Sequence, residues 1–123
     1  YYVQYVHARI SSILRKAAGD GQGNAAWDSE AIALLVEPEE IDLIKALARY
    51  PEIVRTAARS MEPHRITYYL MSLASAFHSY YNKHRVLVDE PLKRCGRLNL
   101  VLAVQKVIRN GLTLLGVSAP TKM

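Results

Sequence analysis

The stretch HRITYYLMSLASAFHSYYNKH, residues 64–84, decides the fold. Its residues Ile66, Leu70, Leu73, Phe77 and Tyr80 recur every three or four positions, which places them on one side of an α-helix. A half-buried strand needs strict alternation, and the stretch has none. Glu62-Pro63 in front of it is a helix start. Proline lacks the N–H that the first turn leaves unpaired, and a carboxylate favours the positive end of the helix dipole. The helix is expected to run to about His84 and to form the spine of a bundle.

Working outward, Arg85 to Pro91 reads as a loop by its charge and proline. From about Leu92 to Leu115 a last helix carries Val101, Val104, Ile108, Leu112 and Leu115 over a broad apolar arc, as a central helix would. Gly116 then supplies a left-handed cap. Upstream, Glu37-Pro38-Glu39-Glu40 starts a helix that should reach about Arg49. Tyr50-Pro51-Glu52 repeats the device, which predicts a break there and a separate helix to about Ser60. Asp28 or Ser29 can cap a short segment through Val36. GDGQGN, Gly19 to Asn24, holds three glycines and no large side chain, so the first helix ends there. In that first helix Val3, Val6, Ile10, Ile13, Leu14 and Ala17 form the core stripe. The pattern predicts an all-α fold, a single bundle of about five or six helices, with residues 1–123 as one domain.

At 123 residues, half of them hydrophobic, the chain can bury a core without metal or disulfide, and its single Cys95 cannot form an internal bridge. With no secretory signal and no long apolar run, a cytoplasmic protein without a membrane partner is expected. The net charge of +5 is unevenly spread. Residues 1–19 carry +3 from Arg9, Arg15 and Lys16, residues 20–62 carry −5, and residues 63–123 carry +7. A basic surface built from both ends suits phosphate, while the acidic middle, Glu37 to Glu62, is expected to face solvent or another protein domain.

The four histidines, His7, His64, His78 and His84, do not fall at i,i+4 spacing with a further ligand, so no metal site is proposed. Phosphate-cradling loops and nucleophile elbows are missing from the sequence, and the serines beside His78 lie along one helix without a catalytic arrangement. The first helix says more. Opposite its apolar stripe, Tyr1, Tyr5, Arg9, Ser12 and Lys16 fall within about 80° of one another by helical projection. Tyrosines can stack on unpaired bases while Arg and Lys meet phosphates, the combination that single-stranded RNA requires; they can equally pack against a neighbouring domain. The helix of residues 64–84 adds Tyr68, Tyr69, Tyr80 and Tyr81. Of these, Tyr81 lies at the edge of the stripe and is the better contact, whereas Tyr69 belongs to the core.

Three stretches carry a resemblance: YYVQYVHARISSILRKA, HRITYYLMSLASAFHSYYNKHRVL and RLNLVLAVQKVIRNGLTLLGVSAPTKM. Together they resemble the C-terminal domain of arginyl-tRNA synthetases, the DALR-type anticodon-binding domain, over nearly the whole chain. The resemblance implies a helical bundle that holds the anticodon loop of an arginine tRNA. It also implies a parent class I enzyme that uses ATP and Mg and whose catalytic domain would be a second partner. The nucleotide-binding fold and its signatures are absent from this sequence, so the chain alone is not expected to be catalytic and is expected to be a fragment. Carried over by residue, the anticodon contacts fall on Tyr1, Tyr5 and Tyr81, with Arg9 beside them, and on Met123, which the Gly116 turn and Pro120 would steer back beside the helices. Arg9, Lys16, Lys83 and Arg85 are expected to neutralise phosphates. The competing reading is a helical docking scaffold that uses the same aromatic surface for another protein and binds no RNA of its own. Asn99, where many relatives carry Ala, has no reading from sequence.

Overall fold

The structure is a computed structural model that describes residues 1–21 and 27–123. Within them five α-helices follow in order: α1 (Tyr2–Gly19), α2 (Ser29–Ala33), α3 (Pro38–Ser60), α4 (His64–Lys83) and α5 (Pro91–Leu114). No strand occurs among the described residues. Residues 22–24 of the glycine-rich loop lie outside them.

The apolar stripes read from the sequence are the core. Val6 and Ile10 from α1, Leu70, Leu73, Phe77 and Tyr80 from α4, and Val101, Val104 and Ile108 from α5 are all essentially inaccessible to solvent. Removing this much apolar surface from water is the main force holding the bundle together. Helix α5 touches each of the other four helices and is central, as its broad apolar arc predicts. Gly96 and Gly111 let it do so. A Cβ on Gly96 would lie 2.4 Å from the Ala31 carbonyl oxygen of α2, and one on Gly111 would meet Leu70 of α4 at 2.8 Å.

The predicted break at Pro51 does not occur: α3 runs unbroken from Pro38 to Ser60 with Pro51 inside it. Proline costs this helix the bond to the Leu47 carbonyl, but Pro51 is exposed, so the loss falls on the solvent side. Helix α4 clamps α3 across the site. The Tyr69 hydroxyl donates to the Ala46 carbonyl at 2.7 Å, and the Tyr50 and Tyr69 rings lie 5.4 Å apart. Leu43 and Ala46 before the proline and Ala57 after it are buried in the same core. Packing against α4 thus outweighs one lost backbone bond, and the two helices expected there are one.

The other joins follow the sequence closely. Asp28, rather than Ser29, caps α2 by accepting from the Glu30 and Ala31 N–H groups. Helix α5 closes in a Schellman motif: the Val117 N–H reaches the Leu112 carbonyl at 2.8 Å and the Gly116 N–H reaches Thr113 at 3.0 Å. Gly116 takes φ +74°, the left-handed conformation that a glycine adopts without steric cost.

Two carboxylates of the acidic middle depart from the solvent- or protein-facing side expected for it. Glu40 is fully buried. Its Oε1 accepts from the Glu37 N–H in a capping box, and its Oε2 accepts from the Tyr80 hydroxyl at 2.9 Å. Arg97 Nε stands 3.0 Å from Oε2, a charge contact whose N–H direction misses the oxygen, while Arg97 Nη1 donates to the Arg85 carbonyl at 2.6 Å. Burial, with the Glu40 carboxylate beside it, pushes the Tyr80 phenol far above its ordinary pKa. This network pins the loop 84–90 to the bundle. Glu39 instead turns to the basic ends of the chain, 2.7 Å from His84 Nε2 and 3.2 Å from Lys83 Nζ.

Candidate nucleic-acid interface

Helices α1 and α4 bring the aromatic and basic residues together. Tyr5 and Arg9 lie one turn apart on α1, and Tyr81 lies near the end of α4. The Arg9 guanidinium carbon sits 5.1 Å from the Tyr5 ring centre and 5.0 Å from that of Tyr81. Arg9 also donates to the Tyr5 hydroxyl. That bond, with the Tyr81 hydroxyl beside it, raises the Arg9 pKa above its ordinary value. Beneath, Tyr81 stacks on Phe77 with ring planes 20° apart and centres at 5.8 Å, which anchors its half-buried ring to the core. The guanidinium therefore lies within cation–π reach of both phenol rings.

The tail after α5 completes this surface. It runs along α1, parallel to it, and three α1 side chains fasten it. Gln4 donates to the Ser118 carbonyl at 2.9 Å, His7 Nδ1 meets the Pro120 carbonyl at 2.8 Å, and Arg15 donates to the Thr121 carbonyl at 3.1 Å. Met123 and Lys122 thereby come to a cleft of about 550 Å³ whose other walls include Tyr5, Arg9, Ile13, Arg15, Lys16 and Tyr81. A second open cleft of about 640 Å³ shares Ile13, Lys16 and Tyr81 with it and continues past Lys83 and Arg85 along the loop that Arg97 pins.

Of the residues singled out by sequence, the structure gathers Tyr5, Arg9, Lys16, Tyr81 and Met123 around the first cleft, and Lys16, Tyr81, Lys83 and Arg85 around the second. Tyr1 stands apart. It is 97% exposed and borders a different, mostly apolar groove with Tyr2, Met71 and Leu115. Lys83 is on the surface but ion-paired with Glu39, which leaves its ammonium less free than those of Lys16 and Lys122. Tyr69 is core as expected, and burial pushes its phenol up to about 12.

Arg15, Lys122 and the tail-fastening residues were not legible as site residues, although one signal was present. Gln4, His7, Ser11 and Arg15 recur at helical spacing along α1, a polar line beside the apolar stripe. Only the fold shows that the tail lies on that line.

The histidines are engaged by protein groups. His7 contacts Pro120, His64 lies 3.3 Å from Glu62, His78 contacts the Tyr2 hydroxyl at 3.1 Å, and His84 is bonded to Glu39. Glu37, Glu39 and His84 do place donor atoms within 4.8 Å of one another, but Glu39 is already shared by His84 and Lys83, which hold its carboxyl below the usual range. Among the described residues no helix is long and apolar enough to cross a membrane. Asn99 returns its amide to the Cys95 carbonyl one turn back at 2.9 Å, a local bond on α5.

Fold and cleft define a class, the all-helical domains that present aromatic and basic side chains together at one open surface. Residues 3–123 match the family model described as the DALR anticodon binding domain, and the chain belongs to that family. The arginine–tRNA ligase of Desulfosudis oleivorans is 59% identical over 125 residues, covering 100% of this chain and 22% of that protein. That of Geobacter metallireducens is 52% identical over 123 residues, with the same shares covered. Among solved structures, Thermus thermophilus arginyl-tRNA synthetase superposes with a TM-score of 0.82 at 35% identity, over 99% of this chain and 21% of that one. The chain thus spans about a fifth of the length of the relatives it matches.

Proposed function

We propose that residues 1–123 are the anticodon-binding domain of an arginine–tRNA ligase and hold the anticodon loop of an arginine tRNA. The observation that carries the reading is the meeting of Tyr5, Arg9, Lys16, Tyr81 and Met123 at one cleft in a chain of this family. Unpaired bases stack against the exposed parts of the Tyr5 and Tyr81 rings with the Arg9 cation beside them, while Met123 gives an adaptable apolar contact. Lys16, Arg85, Arg15 and Lys122 meet phosphates, with Lys83 as a weaker partner because of Glu39. Tyr1 contributes at the margin.

The parent enzyme would perform ATP- and Mg-dependent arginylation in the cytoplasm with its catalytic domain, and this domain would supply tRNA affinity and selection. The apolar groove beside Tyr1 suits contact with that catalytic domain, so protein docking accompanies RNA binding in this reading and does not replace it. The test is binding of the chain to an arginine tRNA and to an unrelated tRNA across a salt series. Preference for the arginine tRNA with a steep salt dependence is the expected result. Equal, salt-independent binding of both would refute the reading.

A further inference from the structure

The environment of His7 fixes its protonation state by geometry. Its imidazole is fully buried between α5 and the tail. The Pro120 carbonyl, 2.8 Å from Nδ1, can only accept, so Nδ1 carries a hydrogen. Arg109 Nε, 3.3 Å from Nε2, always carries a hydrogen, so Nε2 must accept. Both bonds form only with the neutral Nδ1–H imidazole. A second proton would set two N–H groups against each other and bury a cation beside a cation. Around it, Gln105 of α5 donates to the His7 carbonyl at 3.2 Å and to Ser11 Oγ at 2.6 Å, which fixes α1 against α5.

We propose that His7 is a positioning residue: as the neutral imidazole it ties the C-terminal tail to α1, and so sets Lys122 and Met123 at the edge of the cleft. Two other hydrogen bonds tie the tail to α1, from Gln4 and Arg15, both exposed and open to competition from water, and Ala119 packs against the core. His7 is the buried one, at the middle of the strap. The consequence for RNA rests on the proposed reading of the cleft, whereas the latch itself does not.

The latch is pH-dependent. Burial holds the imidazole below its ordinary value of 6.5, the Pro120 carbonyl opposes this and Arg109 adds to it. Arg109 is the charged group facing the ring from α5, and in the tail Lys122 borders the cleft. A released His7 binds a proton more readily than a docked one, so docking is fully favoured above 6.5 and weakens as pH falls from there.

The experiment is NMR of the chain with labelled methionine methyl groups, with Met61 and Met71 as internal references for Met123. In the wild type the Met123 methyl should hold a docked position near about pH 7.5 and move to that of a free chain near about pH 5, while the references stay. His7→Asn, whose amide can donate to Pro120 and does not titrate, should keep the docked position at both. His7→Phe should show the free position at both, with helical circular dichroism confirming that it folds. A wild-type Met123 that does not move, or a His7→Asn chain that titrates as the wild type does, overturns the latch without relying on the Phe variant. With an arginine anticodon stem-loop as probe, His7→Phe should bind about tenfold more weakly near neutral pH and His7→Asn should recover most of it. A working latch with no change in stem-loop affinity overturns the positioning role. A wild type that binds no stem-loop refutes the cleft reading while the Met123 signal still judges the latch.

Discussion

Arg9 on α1 and Tyr81 on α4 face each other across the cleft, the guanidinium carbon 5.0 Å from the ring centre. Their contact joins the two helices that carry six of the chain's eight tyrosines, and it makes one platform from residues 72 positions apart. Replacing Tyr81 by Ala removes one side of that platform. The expected loss of affinity for an arginine tRNA is about 1–3 kcal/mol, with a smaller change in stability because the ring is only half-buried. Arg9→Lys keeps the charge and loses the plane, so it should weaken binding with the salt dependence nearly intact. Fluorescence anisotropy over a salt series reads both; wild-type affinity in both variants would take the pair out of the site.

The ion pairs around Glu39 give a prediction of opposite sign. Lys16→Ala or Arg85→Ala should flatten the slope of log affinity against log salt by about 1 each. Lys83→Ala should do less, because Lys83 is already paired with Glu39. Glu39→Gln removes a negative charge from the edge of the second cleft and frees Lys83, so tRNA should bind more tightly, most visibly at low salt. Weaker binding by Glu39→Gln would show that Glu39 positions His84 and the loop instead.

Arg97 and Glu40 are both buried, and removing one partner leaves the other's charge in the core. Arg97→Met should cost about 3–5 kcal/mol, measured by urea unfolding. It also releases the Arg85 carbonyl, so the loop 84–90 should exchange its amide hydrogens faster than the rest of the core. Stability unchanged within error would mean that the pair contributes no net stabilisation.

Gly96 and Pro51 are expected to act in opposite directions. A Cβ on Gly96 meets backbone, the Ala31 carbonyl, which cannot turn aside; Gly96→Ala should destabilise by about 1–3 kcal/mol as α2 is pushed off α5. Pro51→Ala restores an N–H to an exposed helical position in α3 and should stabilise, by up to about 3 kcal/mol. The two midpoints should shift to opposite sides of the wild type in the same unfolding series. A stabilising Gly96→Ala would mean that the α2–α5 approach is looser than the distance implies.

The helices and their buried faces were legible in the sequence because periodicity is local: Ile66, Leu70, Leu73, Phe77 and Tyr80 share one side of α4 whatever surrounds it. The caps at Asp28, Glu37 and Gly116 were legible for the same reason, each depending on a few adjacent residues. Tyr5, Arg9 and Lys16 could be placed on one face and Tyr81 at the edge of the α4 stripe, and a resemblance joined Tyr81 to them and added Met123. What the sequence could not weigh was competition between local preference and packing. At Pro51 the local rule predicts a break, and contact with Tyr69 and the shared core keeps α3 whole. Glu40 and Arg97 looked like surface charges, since one residue's composition does not reveal that its partner sits 57 positions away in the core. His7 looked like a lone histidine, and only the path of the tail, which Gly116 turns back along α1, made it a hydrogen-bonded latch. Local spacing determined which residues share a helix face; the meeting of faces, set by burial and by long-range hydrogen bonds, decided which of them form one surface.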